Sequence, residues 1–333
     1  MGRLARILTL SVLGVLAVFP YTRAAKYAGD AFSLGVGGRG LALGGAVVAG
    51  PFDGTAAYWN PAGMNYLNGR YLTFMHAETF GSLLNHDYAS YIDARPKPEG
   101  SLIRAFGFYV YYLGGGGIKI TRLNEFDRPY VIREESHGDW LFSAAVSGRI
   151  KSKVDFGLTT KIIYRDIGTG SGIGLTVDAG ALYRVHRYAR VGLMVTDVTT
   201  GFIRYSGSSD LTDDNGNVFE GDANTESIYP TVKPGLMLEY SHRDFTGRAI
   251  VSGDIKFEGI KSAAQHWAGD ISLDTHWGWE LGWRDMVFGR VGFDIGRFTA
   301  GGGVDYRKFT VDFAYLHHSE LDETYRVSAG YRF

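Results

Sequence analysis

Cysteine is absent from this sequence, proline is scarce at 8 of 333 residues, and neither sign of charge prevails, with 34 Lys and Arg against 35 Asp and Glu. Without cysteine there is no disulfide framework and no thiolate chemistry, whether redox, nucleophilic or metal-binding. Few prolines argue against a long disordered or polyproline chain. A formal net charge of -1 gives no reason to expect nucleic acid as a partner. Beyond the N-terminus no apolar run reaches the roughly 20 residues that a membrane-spanning helix needs. Glycine, by contrast, occurs 47 times, about twice its usual share of roughly 7%, and Phe, Trp and Tyr together make up 14% of the chain. Abundant glycine and aromatics with little proline point to many strands joined by tight turns.

The first residues have the layout of a secretory signal peptide. Arg3 and Arg6 precede an apolar core from Ile7 to Phe19, and Thr22-Arg23-Ala24 offers a small-x-small cleavage site. Residues 1–24 are therefore expected to be removed on export, with 25–69 and 70–333 as the two remaining parts of the chain.

From about residue 70 to the end, apolar and polar residues alternate with period two. Tyr325, Val327, Ala329, Tyr331 and Phe333 share one face, and Thr324, Arg326, Ser328, Gly330 and Arg332 the other. Trp277, Trp279, Leu281 and Trp283 likewise oppose His276 and Glu280. Runs of this kind start near residues 70, 85, 101, 138, 153, 172, 188, 232, 247, 272, 286, 297, 307 and 323. Most are about ten residues long, enough for a tilted strand to cross a bilayer.

Soluble sandwiches alternate too, but their loops have no reason to be sorted by parity. Here longer connections (Glu78 to Leu84, Gly114 to Ser136, Thr199 to Pro230, Glu258 to Gln265, His317 to Glu323) interleave with shorter ones (Ile150 to Lys153, His186 to Tyr188, Arg284 to Asp285). An up-and-down membrane barrel predicts short turns on one rim and longer loops on the other. The short turns are rich in Arg and Lys. The expected fold is all-β: a transmembrane antiparallel barrel of about 14 strands, its apolar face meeting outer-membrane lipid and its polar face turned to the lumen. Tyr109, Tyr111, Trp140, Tyr164, Tyr183, Trp283 and Tyr315 are expected in the interfacial girdles.

About 45 residues separate the cleavage site from the first strand, enough to fill the lumen of a wide barrel. The segment Ala28 to Met64 reads AGDAFSLGVGGRGLALGGAVVAGPFDGTAAYWNPAGM. It resembles the N-terminal signature of the PorV/PorQ branch of the FadL-like outer-membrane barrels, through Gly37, Arg39, Gly40, Gly44 and Gly45 and then Tyr58, Trp59, Asn60, Pro61, Ala62 and Gly63. Gly50-Pro51-Phe52 departs from the polar, acidic run usual in relatives. The terminal Phe333 is similar to the insertion signal of bacterial outer-membrane barrels. The resemblance implies a fourteen-stranded barrel whose N-terminal hatch includes Asn60, Pro61 and Ala62. Fatty acids or other hydrophobic ligands, or secretion-system proteins of the type IX kind, are the partners it implies, with no cofactor.

Other patterns carry less chemistry. Gly35 to Gly40 satisfies G-x-G-x-x-G, but no preceding strand or following βαβ unit supports nucleotide binding. Ser136-His137-Gly138-Asp139 and the pair His317-His318 raise an outer-membrane lipase or esterase, yet no G-x-S-x-G occurs. The acidic stretch within Thr199 to Pro230 lacks the EF-hand spacing and reads as a solvated loop rather than a calcium site. No metal site is expected. A structural or adhesive barrel with binding loops is the alternative of a different class, and its long loops would be the binding surface.

Overall fold

The computed structural model describes residues 29–81, 83–98, 101–150, 153–168, 170–207, 225–257, 264–318 and 322–333. The expected signal peptide and most of the acidic Thr199–Pro230 stretch lie outside these residues.

Seventeen strands are present among the described residues: β1 (Gly69–Thr79), β2 (Leu84–Ala94), β3 (Ile103–Leu123), β4 (Pro129–Ile150), β5 (Val154–Asp166), β6 (Gly170–His186), β7 (Ala189–Thr196), β8 (Gly201–Gly207), β9 (Thr225–Ile228), β10 (Thr231–His242), β11 (Phe245–Lys256), β12 (His266–Ala268), β13 (Ile271–Trp283), β14 (Val287–Asp294), β15 (Arg297–Tyr306), β16 (Phe309–Leu316) and β17 (Thr324–Arg332). Fourteen of them form the wall. β1 to β7 pair in chain order, β7 pairs with β10, β10 with β11, β11 with β13, and β13 to β17 continue the meander. All pairings are antiparallel, and β17 returns to β1 with Tyr71 opposite Arg332 and Glu78 opposite Tyr325. The sheet is thus closed, which leaves no unpaired edge in lipid. The remaining three strands, β8, β9 and β12, are short additions at the far rim, opposite the near rim where β1 begins and the chain ends.

The pleat explains the alternation. On β13, Asp274, His276 and Glu280 are buried inside the barrel while Trp277, Trp279, Leu281 and Trp283 stand on the outer surface. Exposed Phe74, Phe142, Leu193, Val291 and Val327 extend this apolar exterior to other strands. Chains that expose so much apolar surface in a continuous belt are at home in a bilayer.

Three expectations are corrected. Tyr109 and Tyr111 do not sit in an interfacial girdle: they point inward and are 3% and 0% exposed. Their places on β3 fall in the inward phase, and they pack against the N-terminal segment. The connection expected from Gly114 to Ser136 is not a loop. It is the upper part of β3 and β4, which continue as a hairpin past the rest of the rim, with register shifts at Gly115/Ile118 and Ile120/Thr121. The Asp294–Arg297 connection on the far rim is tight, because Ile295 and Gly296 both take left-handed backbone angles, φ 50° and 83°.

The segment before β1 enters the barrel. It contains a 3-10 turn (Asp30–Phe32), a five-residue helix (Gly38–Ala42), a four-residue helix (Ala56–Trp59) and a 3-10 run (Pro61–Tyr66). Small residues let its backbone lie against the wall, and Ala42, Ala46, Ala49, Ala56, Ala57 and Ala62 are all fully buried.

Candidate functional site: the hatch and the lumen

The motif residues do their work by closing the hatch on itself and on the wall. Asn60 has an extended backbone, and its side-chain oxygen accepts from the Ala62 N–H at 3.2 Å, capping the run that Pro61 begins. Its amide nitrogen donates to the Val48 carbonyl at 3.0 Å and to the Ala181 carbonyl of β6 at 3.3 Å. One buried side chain therefore ties two hatch loops to the barrel. Trp59 donates from Nε1 to the Val36 carbonyl at 3.0 Å, and its ring fills the space over Gly35 and Gly40, where a Cβ would lie 2.6 and 2.8 Å from ring carbons. Tyr58 donates to the Phe32 carbonyl at 2.7 Å and accepts from the Gly35 N–H at 3.2 Å. Burial pushes its hydroxyl pKa up, so it stays a neutral hydrogen-bonding group. Its ring packs among Tyr88, Tyr109 and Tyr111 of the wall.

Three pairs of inward-facing glycines receive the hatch. Gly157 and Gly180 are cross-strand partners on β5 and β6, and a Cβ on either would come within 2.5 or 2.1 Å of the Asn60–Ala62 turn. Gly278 and Gly292 face each other on β13 and β14, where a Cβ would meet the Leu43–Gly44 backbone at 2.7 and 2.5 Å. Gly192 and Gly235, paired on β7 and β10, leave the space for Val48 and Ala49. Sequence reasoning singled out the hatch residues but missed these wall positions. Their signal was a glycine in the inward phase of a strand. The run Gly301 to Gly303 keeps regular register with both neighbours and does not kink the strand. Gly301 makes room for Ala42 of the hatch.

Charge fastens the hatch as well. Arg39 donates to Glu280 at 3.0 Å, to Asp53 at 3.2 Å and to the Gly50 carbonyl at 2.9 Å. Glu280, whose side chain is 1% exposed, also accepts from Arg248 at 2.7 Å and from Arg290 at 2.6 Å. Arg290 reaches on to Asp312 at 2.6 Å. A carboxylate held by three guanidinium groups out of water is a strong, directional anchor. Gly44, at φ 62°, offers its carbonyl to His276 Nδ1 at 2.9 Å. Asp53, beside the departing Gly50-Pro51-Phe52 stretch, accepts from the Thr55 N–H and hydroxyl in addition to Arg39.

The hatch divides the lumen. Toward the far rim lies a cavity of about 270 Å³, lined by hatch residues such as Phe32, Leu34 and Trp59 and by charged wall residues. There Lys161 pairs with Asp178 at 2.7 Å and Asp197 at 2.8 Å, and Lys233 with Asp254 at 2.6 Å. Toward the near rim lies a second cavity of about 290 Å³, bounded by Arg39, Asp53 and Tyr66 of the hatch and by Arg248, Glu280 and Asp312 of the wall. Each wall strand pairs with both neighbours, and the β10–β11 ladder passes over Lys233 and Pro234, where proline has no N–H to donate.

The residues that suggested other chemistry are not assembled for it. Ser136 and His137 are neighbours on β4 and so project to opposite faces, while Asp139 is held by Arg165 at 2.7 Å. Tyr315 contacts His317 at 3.4 Å and Arg297 contacts His318 at 3.2 Å. Gly35 to Gly40 wraps Trp59, and no strand precedes it among the described residues. Among the described residues no group of three or more His, Asp or Glu side chains is placed to hold a metal ion.

No protein-family model matches the chain, and no curated protein matches it. Solved structures do. The CymD monoaromatic hydrocarbon channel superposes with a TM-score of 0.57 at 12% identity, over 90% of this chain and 98% of that one. The Pseudomonas putida toluene transporter TodX gives 0.55 at 12% identity, over 90% and 99%. A Pseudomonas aeruginosa FadL homologue gives 0.50 at 14% identity, over 90% and 98%. The chain thus has the fold of the FadL-like outer-membrane barrels: a closed wall of fourteen antiparallel transmembrane strands.

Proposed function

We propose that this protein is a non-catalytic outer-membrane channel that passes small, predominantly hydrophobic compounds across the membrane, with residues 25–69 as its hatch. One observation carries this reading: a firmly anchored hatch separates two cavities of small-molecule size inside a closed barrel. The near rim, which holds both the start of β1 and the C-terminus, is then the periplasmic one, consistent with export behind a cleaved signal peptide and with basic short turns. Two barrels of the same fold, the CymD monoaromatic hydrocarbon channel and the toluene transporter TodX, support the same class of cargo.

The similarity of Ala28–Met64 to the PorV/PorQ signature supports a second reading, a docking barrel for secreted proteins. A polypeptide would need a wider opening than either cavity provides, which favours the small-molecule reading.

The absence of cysteine allows a direct test. Thr159 of β5 donates to the Ala57 carbonyl of the hatch at 3.1 Å, so the pair Ala57→Cys and Thr159→Cys can lock the hatch to the wall. Uptake of a lipophilic dye into vesicles carrying this variant should stop on oxidation and return on reduction. Equal flux in both states would rule out passage past the hatch, and no flux in any state would favour an adhesive barrel.

A further inference from the structure

Charged groups inside the barrel mostly meet a group of opposite sign; Arg190 of β7 instead lies over the rings of Phe52 and Tyr66 at 4.4 and 4.5 Å, and Arg326 of β17 meets no carboxylate. Arg326 is 2% exposed and has no carboxylate at ion-pair distance among the described residues. Its Nη2 donates to the Leu34 carbonyl of the hatch at 3.2 Å and to Nδ1 of His86 at 3.5 Å. Its Nε and Nη1 are buried without any partner. Since His86 Nδ1 accepts, the proton of the neutral ring lies on Nε2, and that atom is also buried and unpartnered. Thr324 precedes Arg326 by two residues on the same inward face of β17, and Thr79 lies beside it at the β1–β17 seam. Both threonine hydroxyls are buried and lack partners too.

Four side chains on three neighbouring strands thus hold donor groups with nothing to donate to. An arginine cannot shed its charge, and leaving buried donors unmade costs stability, so the cluster is not there to strengthen the fold. A planar oxyanion is what such a set matches: guanidinium N–H groups fork toward two oxygens, and hydroxyls complete the acceptor's shell. Arg326, Thr79 and Thr324 line the far cavity together with Phe32, Tyr58 and Leu316. At about 270 Å³ this space lies just below the roughly 300–1,000 Å³ of pockets for drug-sized ligands, so its occupant is small.

We propose that Arg326, Thr79 and Thr324 bind the carboxylate of a small organic acid, whose apolar body rests on Phe32, Tyr58 and Leu316, with His86 packed behind the guanidinium. The anion takes the place of the Leu34 carbonyl at Nη2, and the acid enters from the far rim. As a statement about cargo this rests on the passage reading above; as a statement about binding it does not.

The test is calorimetric titration of the detergent-solubilised full-length barrel with benzoate, benzamide and inorganic phosphate. Benzoate is expected to bind, benzamide to bind at least about tenfold more weakly, and Arg326→Met to lose at least about tenfold in benzoate affinity, as for a charge-assisted hydrogen bond. Thr324→Val should lose less, and Arg326→Lys should retain part of the affinity, which keeps the test open if the methionine variant fails to fold by heat-modifiable gel mobility. No benzoate binding, equal binding of benzamide, equally tight phosphate binding, or unchanged benzoate affinity in folded Arg326→Met would each overturn the proposal. Benzoate binding in a protein whose disulfide-locked and reduced forms pass dye equally would retire the passage reading and leave the site standing.

Discussion

The two arginine-rich ends of the lumen are built on opposite principles. On the near side, Arg39, Arg248 and Arg290 converge on Glu280, and Asp53, Glu239 and Asp312 complete the network. On the far side, Arg326 contacts a backbone carbonyl and a histidine and keeps unspent donors. Both are buried in the same barrel and both touch the hatch, so burial alone does not explain the difference. What differs is whether the protein supplies the anion. Where it does, the cluster is a fastening; where it does not, the cluster is the anion site proposed above.

The comparison breaks most readily at Glu280. Glu280→Gln leaves three buried guanidinium groups around a neutral amide, and the expected loss is about 3–5 kcal/mol, the cost of stranding buried charge. It should appear as a lower midpoint in heat-modifiable gel migration and as a hatch more open to protease; a midpoint equal to the parent's would mean that the network does not hold the hatch. Next comes the glycine slot. Gly180→Val puts a side chain where Asn60 lies, so a loss of roughly 1–3 kcal/mol is expected, together with single-channel conductance in planar bilayers that the parent lacks. A variant that stays closed and equally stable would show that the slot is not needed. The smallest effect is expected at Arg326. Arg326→Met removes an unpaired charge, so the same gel midpoint should stay level or rise slightly. A fall as large as that of Glu280→Gln would mean that Arg326 is a fastening after all.

Much of the wall is legible in the sequence, for a physical reason. Inside the bilayer the two faces of a strand meet solvents as different as lipid and a hydrated lumen, so alternation is enforced residue by residue. The starts read near 85, 153, 232, 272 and 297 fall within a residue or so of β2, β5, β10, β13 and β15. The reading fails at β4, which begins at Pro129 and not near 138. Beyond the rim both faces of the β3–β4 hairpin meet water, as exposed Leu123, Tyr130, Val131 and Ile132 show, and no contrast remains to reveal the strand. Tyr109 and Tyr111 were misplaced because an aromatic side chain suits an interface and a hatch contact equally well.

The site was legible only by half. The Tyr58–Gly63 motif stands out because nothing like it recurs downstream. Its partners do not stand out, since bringing Gly157 and Gly180 to Asn60 depends on barrel register across 97 and 120 residues of chain. Arg326 could be put on the polar face of the last strand from its spacing. That its guanidinium lacks a carboxylate is a property of thirteen other strands, and no local pattern reports it.

The paired glycines have a consequence for how such a barrel is built. Side chains alternate with a period of two, so a hairpin that slipped by one residue would present an outward residue to the hatch in place of glycine. At the slots on β5, β7 and β13, the residues flanking the glycine are Phe156 and Leu158, Val191 and Leu193, and Trp277 and Trp279. None of these fits a slot that excludes even a Cβ. The segment before β1 is therefore a gauge against which hairpins arriving much later are checked, and only the correct register lets the wall close around it.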